Sequence, residues 1–142
     1  MLIRTLANPC IAKEGSEDVM RDPMYITDAD EVVVLSDVAE NSVMYLAHGD
    51  RDSLIEAARQ AVEDCRAAVD VERCFISDCY SRVIMLGDDF SRELDTARQA
   101  LGSIADVELE GVQAFGEIAA NGTQKLEFFN KTFVVGLLHS RE

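Results

Sequence analysis

Short apolar runs in the first half of the chain have the length and composition of β-strands. Residues 31–35 and 43–46 are rich in Val, Leu, Met and Tyr, and β-branched and aromatic residues favour a pleated, half-buried surface. The intervening segment contains Asp37, Asn41 and Ser42, which are residue types common in turns. The pattern therefore predicts two strands joined as a β-hairpin.

Two later segments have the spacing of amphipathic helices. Ser53 followed by Glu56 fits a capping box, so the first helix is predicted to begin there. Its apolar stripe consists of Leu54, Ala58, Ala61, Val62, Cys65 and Val69. The second stripe consists of Phe90, Leu94, Ala97 and Leu101. Gly102 comes next, where a left-handed residue commonly ends a helix, and is predicted to stop it.

Extended segments are predicted between and after these helices. They are residues 73–77, 83–86, 107–115 and 125–138. The Asn121-Gly122 pair between the last two suits a tight hairpin turn. The element order β-β-α-β-α-β-β predicts an α/β fold, with a mixed, largely antiparallel sheet packed by two main helices.

The chain reads as one domain over residues 1–142, because it contains no repeat, no low-complexity run and no linker rich in Pro, Gly or Ser. Residues 1–30 show no clear periodicity and include two turn-like stretches, 14–18 and 20–23. This segment is predicted to form an irregular lead-in.

The charge balance excludes one class of function. The 142 residues include 13 Lys and Arg against 27 Asp and Glu, which gives a net charge of −14 with both histidines neutral. Nucleic-acid binding needs clustered basic side chains that neutralise phosphates. The basic residues here are scattered and outnumbered, so we expect no nucleic-acid partner.

Membrane insertion and secretion are not expected either. The apolar run at residues 133–138 is far shorter than the ~20 residues of a membrane helix. Arg4 interrupts the apolar N-terminus, and no small-residue cleavage site follows a proper apolar region. A cytoplasmic location without membrane association is therefore expected.

The four cysteines do not indicate a metal or cofactor. None belongs to a Cys-x-x-Cys pair, and both histidines lie far from them in sequence. A metal site is therefore not expected, and neither is any cofactor. Without a secretory signal the thiols are expected to be reduced, most of them as small core residues.

Three polar clusters lie at strand ends or inside strands, at residues 79–82, 116–118 and 130–132. The guanidinium of Arg82 could grip a carboxylate bidentately, and the carboxylate of Glu117 could receive an ammonium. Asn130 and Thr132 could add neutral hydrogen bonds. Such a set would suit an amino acid.

The same clusters resemble the C-terminal domain of the FIST family. The resemblance lies in segments 37–43, 49–50, 77–87, 110–118 and 126–132, and covers nearly the whole chain. It implies a cytoplasmic sensory module of signal transduction, without catalysis, that binds a small ligand such as an amino acid. The ligand-binding residues implied are Cys79, Ser81 and Arg82, with Gly116 and Glu117 of a Gly-Glu-Ile motif and Asn130 and Thr132 of an Asn-x-Thr motif.

The resemblance also implies partners. In the family this domain normally follows an N-terminal FIST domain, so that domain, or a signalling partner, is expected in another chain. A homo-oligomer is a further expectation, because an apolar surface without its partner domain can meet a second copy.

Two other functions remain open from the residues alone. An enzyme could use Cys79 as a nucleophile, with His48 or His139 as base and Arg82 holding the developing anion. A structural or interaction module could instead use the motifs to stabilise the fold, with Glu117 paired to Arg82 as an internal salt bridge.

The acidic composition predicts a salt-dependent stability. Only three lysines accompany ten arginines, which fits either a halophilic source or a genome whose base composition favours Arg. If the surface is adapted to salt, the melting temperature should rise with salt, because at ~1 M the Debye length is ~3 Å and self-repulsion is screened. Thermal melts at increasing NaCl measure this, and a flat curve would contradict the halophilic interpretation.

Overall fold

Ten strands and three α-helices occupy the parts of the chain that the computed structural model describes, which are residues 9–14, 17–65, 71–102, 107–120 and 126–138. The first half contains β1 (Cys10–Glu14), β2 (Glu17–Arg21), β3 (Pro23–Ile26), β4 (Val32–Val34), β5 (Met44–Leu46) and α1 (Arg51–Cys65). The second half contains β6 (Arg73–Cys79), α2 (Tyr80–Leu86), a 3-10 turn (Gly87–Asp89), α3 (Phe90–Leu101), β7 (Glu108–Ala114), β8 (Glu117–Ala119), β9 (Glu127–Phe129) and β10 (Phe133–Leu138). The predicted α/β class with largely antiparallel sheets is confirmed.

The central sheet has the strand order β10-β6-β7. Strand β6 is antiparallel to β10 and parallel to β7. Parallel neighbours need a crossover connection, and α2 and α3 supply it between β6 and β7. The end of β6, where this crossover begins, carries the first of the predicted polar clusters.

The core lies where α1 and α3 pack against this sheet. Alternation along β6 buries Cys74, Ile76 and Asp78, while Arg73 and Phe75 are exposed, as expected for a strand with one covered face. The buried cluster comprises Ala58, Val62, Cys74, Ile76, Ala97, Ala100, Leu101 and Phe133. One carboxylate, that of Asp78, therefore points to the helix-covered face among apolar residues.

The prediction of an irregular segment over residues 1–30 is wrong for the part described, because β1, β2 and β3 lie there. The predicted hairpin between 31–35 and 43–46 is also wrong. Strand β4 pairs with β3, and β5 pairs with β1. The turn residues between 35 and 43 correctly separate the two strands, but the partner of each strand depends on contacts that are distant in sequence.

The two long helices are confirmed, with one corrected boundary. Helix α1 begins at Arg51, and its cap is Asp50, whose Oδ1 accepts the Ser53 backbone N–H at 2.8 Å. The capping box predicted from Ser53 and Glu56 is therefore wrong, and Glu56 pairs with Arg59. Helix α3 ends at Leu101, and Gly102 follows with φ +69°, as predicted.

Residues 83–86 were predicted to be extended and are helical, since they belong to α2. A short apolar run cannot be assigned to strand or helix from periodicity alone. In the helical form Ser81, Arg82 and Leu86 are buried. The β-propensity of Val83 and Ile84 is therefore overridden by the tertiary context.

The predicted extended stretch 125–138 is interrupted between β9 and β10, where Lys131 adopts φ +61°. The interruption gathers Asn130, Lys131 and Thr132 into a connection that we call the 130–132 loop. The predicted 107–115 strand corresponds to β7. The predicted Asn121-Gly122 turn lies outside the described residues.

Gly116 is required by the β8–β9 ribbon. Its φ of +125° suits glycine, and a Cβ there would overlap the ring of Phe128. Phe128 pairs with Ile118, so the ring is fixed by the strand register. The ring of Phe128 thus packs directly on the glycine that precedes Glu117.

We predict that Gly116→Ala lowers the free energy of unfolding by roughly 2 kcal/mol or more, through backbone strain and overpacking against Phe128. Gly49→Ala is the control, because a Cβ at Gly49 meets no atom within 4 Å. Urea unfolding of both variants checks this. Equal stabilities would contradict the role of Gly116.

Candidate functional site

The predicted polar clusters meet around the 130–132 loop. The Cys79 backbone N–H donates to the Thr132 carbonyl at 3.1 Å, and Arg82 Nη1 donates to the Lys131 carbonyl at 3.3 Å. Thr132 Oγ1 donates to Glu117 Oε2 at 2.6 Å. Residues of β6, α2 and β8 thus all form hydrogen bonds with the same connection. The spacing of the motifs in the sequence could not show that they meet.

Arg82 is 3% exposed, and protein groups hold its guanidinium. Nε donates to Glu93 Oε1 at 3.1 Å, and Nη2 also donates to that oxygen. Nη2 further donates to the Leu54 carbonyl at 2.8 Å. The guanidinium carbon lies 5.6 Å from the centre of the Phe133 ring. Arg82 therefore ties α1, α3 and the 130–132 loop together.

The partners of Arg82 differ from the expected internal pair. The carboxylates that pair with Arg82 are Glu93 and Asp78, and Asp78 Oδ1 lies 3.4 Å from Arg82 Nε. The prediction of a salt bridge between Glu117 and Arg82 is therefore wrong. Glu93 is fully buried, and it escaped notice because glutamates on helices are usually solvated. A signal was present, since Glu93 lies one turn before Ala97 of the apolar stripe.

Two buried carboxyls share this one guanidinium. Burial and the nearby Glu93 charge together raise the pKa of Asp78 to about 7, although the charge of Arg82 opposes them. Burial also raises the pKa of Glu93, again opposed by Arg82. Because two carboxylates cannot both ionise cheaply beside one cation, the group holds a proton near neutral pH, with Asp78 as its acid.

Glu117 is 3% exposed and lies against Thr132. Burial raises its pKa, and the Thr132 hydrogen bond opposes this. Its second oxygen, Oε1, is buried and accepts no hydrogen bond from a described residue. A carboxylate oxygen in this position retains the capacity to accept from a ligand donor.

Cys79 and Ser81 lie at the junction of β6 and α2, where a hydrogen bond from the Cys79 thiol also lowers the pKa of Glu117. The Cys79 Sγ is 3.2 Å from Ser81 Oγ, and Cys79 is 1% exposed. Burial raises the pKa of the Cys79 thiol, which disfavours the thiolate that a nucleophile needs. His48 is exposed, unlike Cys79, and His139 lies outside the described residues.

Asn130 and Lys131 connect the loop to the N-terminal strands. Asn130 is fully buried, and its Oδ1 accepts the Asp22 backbone N–H at 3.4 Å. Lys131 Nζ lies 2.9 Å from Asp22 Oδ1, in a buried ion pair. This ion pair was not predicted, because Asp22 precedes Pro23 in a stretch with the composition of a solvated turn.

Two clefts flank the polar cluster. The α3–β7 cleft, of about 420 Å³, is lined by Ile76, Asp78, Phe90, Leu94, Arg98, Leu109, Glu110, Gly111, Val112 and Gln113. The α1–β10 cleft, of about 390 Å³, is lined by Ala61, Cys65, Ala119, Ala120, Phe129, Thr132, Phe133, Val134 and Val135. Of the predicted ligand-binding residues, only Thr132 lines one of these two clefts. Arg82 and Glu117 are buried and do not line either of them.

Other kinds of site find no support in the part of the chain that is described. There, no group of three or more His, Cys, Asp or Glu side chains is arranged to hold a metal ion. No helix among those residues is long and apolar enough to cross a membrane.

We predict that Asp78→Asn flattens the pH dependence of stability. A carboxyl whose pKa is higher in the folded state favours folding at low pH, and this contribution is lost as pH rises toward about 7. The parent should therefore lose stability between about pH 4 and pH 7, and the variant should lose less. Urea unfolding at each pH measures this, with the exposed Asp28→Asn as control. Identical slopes for the parent and Asp78→Asn would refute it.

The comparisons with known proteins give one result. A family model described as FIST C domain matches residues 2–120, which include Cys79, Arg82 and Glu117. No curated protein and no solved structure matches the chain significantly. Because the match covers most of the sequence, this chain belongs to the FIST C domain family, a family of signal-transduction sensory domains and not a known enzyme family.

Proposed function

We propose that this sensory domain binds a small ligand with a protonated amine, such as an amino acid, at the 130–132 loop. The observation that carries the proposal is the buried Glu117 Oε1, which accepts no hydrogen bond from a described residue. Glu117 is joined by a hydrogen bond to Thr132, which lines the α1–β10 cleft. An ammonium that reached Glu117 past Thr132 would satisfy this oxygen.

The surroundings of Glu117 support the same ligand class. The α1–β10 cleft offers apolar walls from Ala61, Phe129 and Val135 to a ligand side chain. Asn130 belongs to the same loop, and Cys79 and Ser81 lie beside it at the junction of β6 and α2. These three residues contribute neutral polar groups. The Arg82 guanidinium donates its hydrogen bonds to protein groups. We therefore propose that Arg82 positions the loop and that the ligand carboxylate lies at the mouth of the cleft.

A route for the signal follows from the contacts of Arg82. The Lys131 carbonyl binds Arg82 Nη1, and the same guanidinium holds the Leu54 carbonyl of α1 and Glu93 of α3. A ligand that moves the loop therefore acts on both long helices. Such a shift requires that the ligand bind one arrangement better than the other.

We further propose that the domain is cytoplasmic, does not catalyse a reaction and signals through a protein partner, either an N-terminal FIST domain, another signalling chain or a second copy. The buried Cys79 thiol with its raised pKa supports the absence of thiol catalysis. Exposed apolar side chains on β5, such as Tyr45 and Leu46, support a protein contact.

A structural module is the second candidate, and one observation favours it. The hydrogen bonds of Arg82 are all to protein groups, as expected if the motif serves the fold. A structural module and a sensor share these contacts. They differ in whether a ligand stabilises the chain through Glu117.

We predict that one compound in a panel of amino acids and related small acids raises the melting temperature saturably, at low or high salt. Glu117→Gln should weaken its binding by roughly tenfold or more, since a charge-assisted hydrogen bond contributes ~1.5–3 kcal/mol. The exposed Glu40→Gln is the matched control.

Either of two outcomes would favour the structural module. One is a cooperative melt with no shift across the panel. The other is a shift that Glu117→Gln leaves unchanged. Folding of each variant is checked by circular dichroism before binding is measured.

A further inference from the structure

The two edges of the central sheet differ in charge. Among the strands that the structure describes, β7 forms one edge and β10 the other. Strand β7 carries the exposed carboxylates of Glu108 and Glu110, whereas β10 contains no charged residue and no proline. Edge strands are commonly protected by charges, prolines or bulges that prevent pairing with another chain. Strand β10 has neither a charge nor a proline for this purpose.

The hydrogen bonds of β10 show which of its backbone groups face outward. The Cys79 N–H donates to the Thr132 carbonyl at 3.1 Å, in the register that joins β6 to β10. Because antiparallel strands alternate, every second residue after Thr132 directs its N–H and C=O away from β6. These residues are Phe133, Val135 and Leu137. The Val135 carbonyl accordingly accepts from the Cys65 thiol of α1 at 3.8 Å, and a thiol is a weak donor that an N–H can replace.

These outward groups open onto the α1–β10 cleft. Its lining includes the four consecutive residues 132–135, together with Ala61 and Cys65 of α1. Consecutive residues of a strand point to opposite faces, so the cleft follows the edge of β10 and not one face of the sheet. No residue of the lining is charged. The groove therefore fits an extended, uncharged strand that adds to the sheet.

We propose that this strand is β10 of a second copy, paired antiparallel about a two-fold axis at Val135. In this register Val135 lies opposite the partner's Val135, and Phe133 lies opposite the partner's Leu137. Each such pair exchanges two hydrogen bonds between outward groups. The pairing selects a second copy among the partners proposed above, and it rests on that proposal only for its role in signalling.

The side chains of β10 complement each other in this register. Val134, Gly136 and Leu138 lie on the face opposite the core, because the intervening residues pair with the positions of β6 that the helices cover. On this face Val134 lies opposite the partner's Gly136, so a branched side chain meets a position without one. Leu138 lies opposite the partner's Thr132. A two-fold interface requires such self-complementarity, and apolar cross-strand pairs stabilise it.

Charge also favours β10 over β7 as the edge that pairs. The chain carries a net charge of −14, so two copies repel each other. Pairing through β7 would bring Glu108 and Glu110 close to the same residues of the partner, and like charges on paired strands are destabilising. A six-residue strand spans about 20 Å, and its interface is smaller than the ~800 Å² per partner of a stable complex. The dimer is therefore expected to be weak and concentration-dependent.

Sedimentation velocity of the full chain measures this association. The concentration is varied from about 1 to 500 μM in ~1 M NaCl, where the repulsion between acidic copies is screened. The weight-average mass should rise with concentration from that of one chain to twice that value.

Two variants and one control locate the interface. Val135→Pro removes an N–H that points away from β6, so it should spare the sheet and weaken dimerisation by about tenfold or more. Val134→Lys puts a charge at the paired edge and should weaken it similarly. Val112→Lys is the control, because Val112 and Val134 lie opposite the same β6 residue, Ser77, but on opposite edges of the sheet. This variant should dimerise like the parent.

Three results would each overturn the proposal. These are a monomer at every concentration, which would leave the edge to a different chain, a dimer that both β10 variants leave intact, and an equal loss in Val112→Lys. Amino acid binding is measured separately by thermal shift. A monomer that binds an amino acid would contradict only the pairing, and a dimer that binds none would contradict only the ligand. Circular dichroism and urea unfolding confirm that each variant is folded.

Discussion

Removing the guanidinium of Arg82 from water is the requirement on which the surrounding structure depends. A buried cation destabilises a fold unless it is both neutralised and hydrogen-bonded. Glu93 supplies the charge, while the carbonyls of Leu54 and Lys131 each accept one further N–H of the guanidinium. These partners come from α3, α1 and the 130–132 loop, so satisfying one side chain fixes three elements relative to each other.

The buried cluster holds one more carboxyl group than the neutralisation of Arg82 requires. Asp78 and Glu93 both lie beside Arg82, and each has a pKa raised by burial. A fold optimised for stability alone would match one carboxylate to one cation, or use apolar residues of the same volume. Keeping a second carboxyl here makes the stability of the interior depend on pH.

Parts of this architecture follow from local sequence and parts do not. The stripe ending at Gly102 predicted α3 closely, because helix periodicity and termination are local. The sequence pattern also identified the three polar clusters, because Arg82, Glu117 and Asn130 are polar residues near the ends of predicted strands. It missed Glu93, Asp22 and the pairing of β1 with β5, because burial and strand partners depend on contacts distant in sequence. It also assigned 83–86 to a strand, because a short apolar run does not distinguish a strand from a helix.

The position of β6 in the central sheet has a consequence for how the chain is made. Both neighbours of β6, namely β7 and β10, follow it in the sequence. During synthesis β6 therefore leaves the ribosome with both hydrogen-bonding edges bare, and only the emergence of β10 covers the second edge. Such non-local pairing slows folding and exposes a strand to aggregation. The unpaired edge of β6 is therefore open to non-native pairing until β10 has been synthesised.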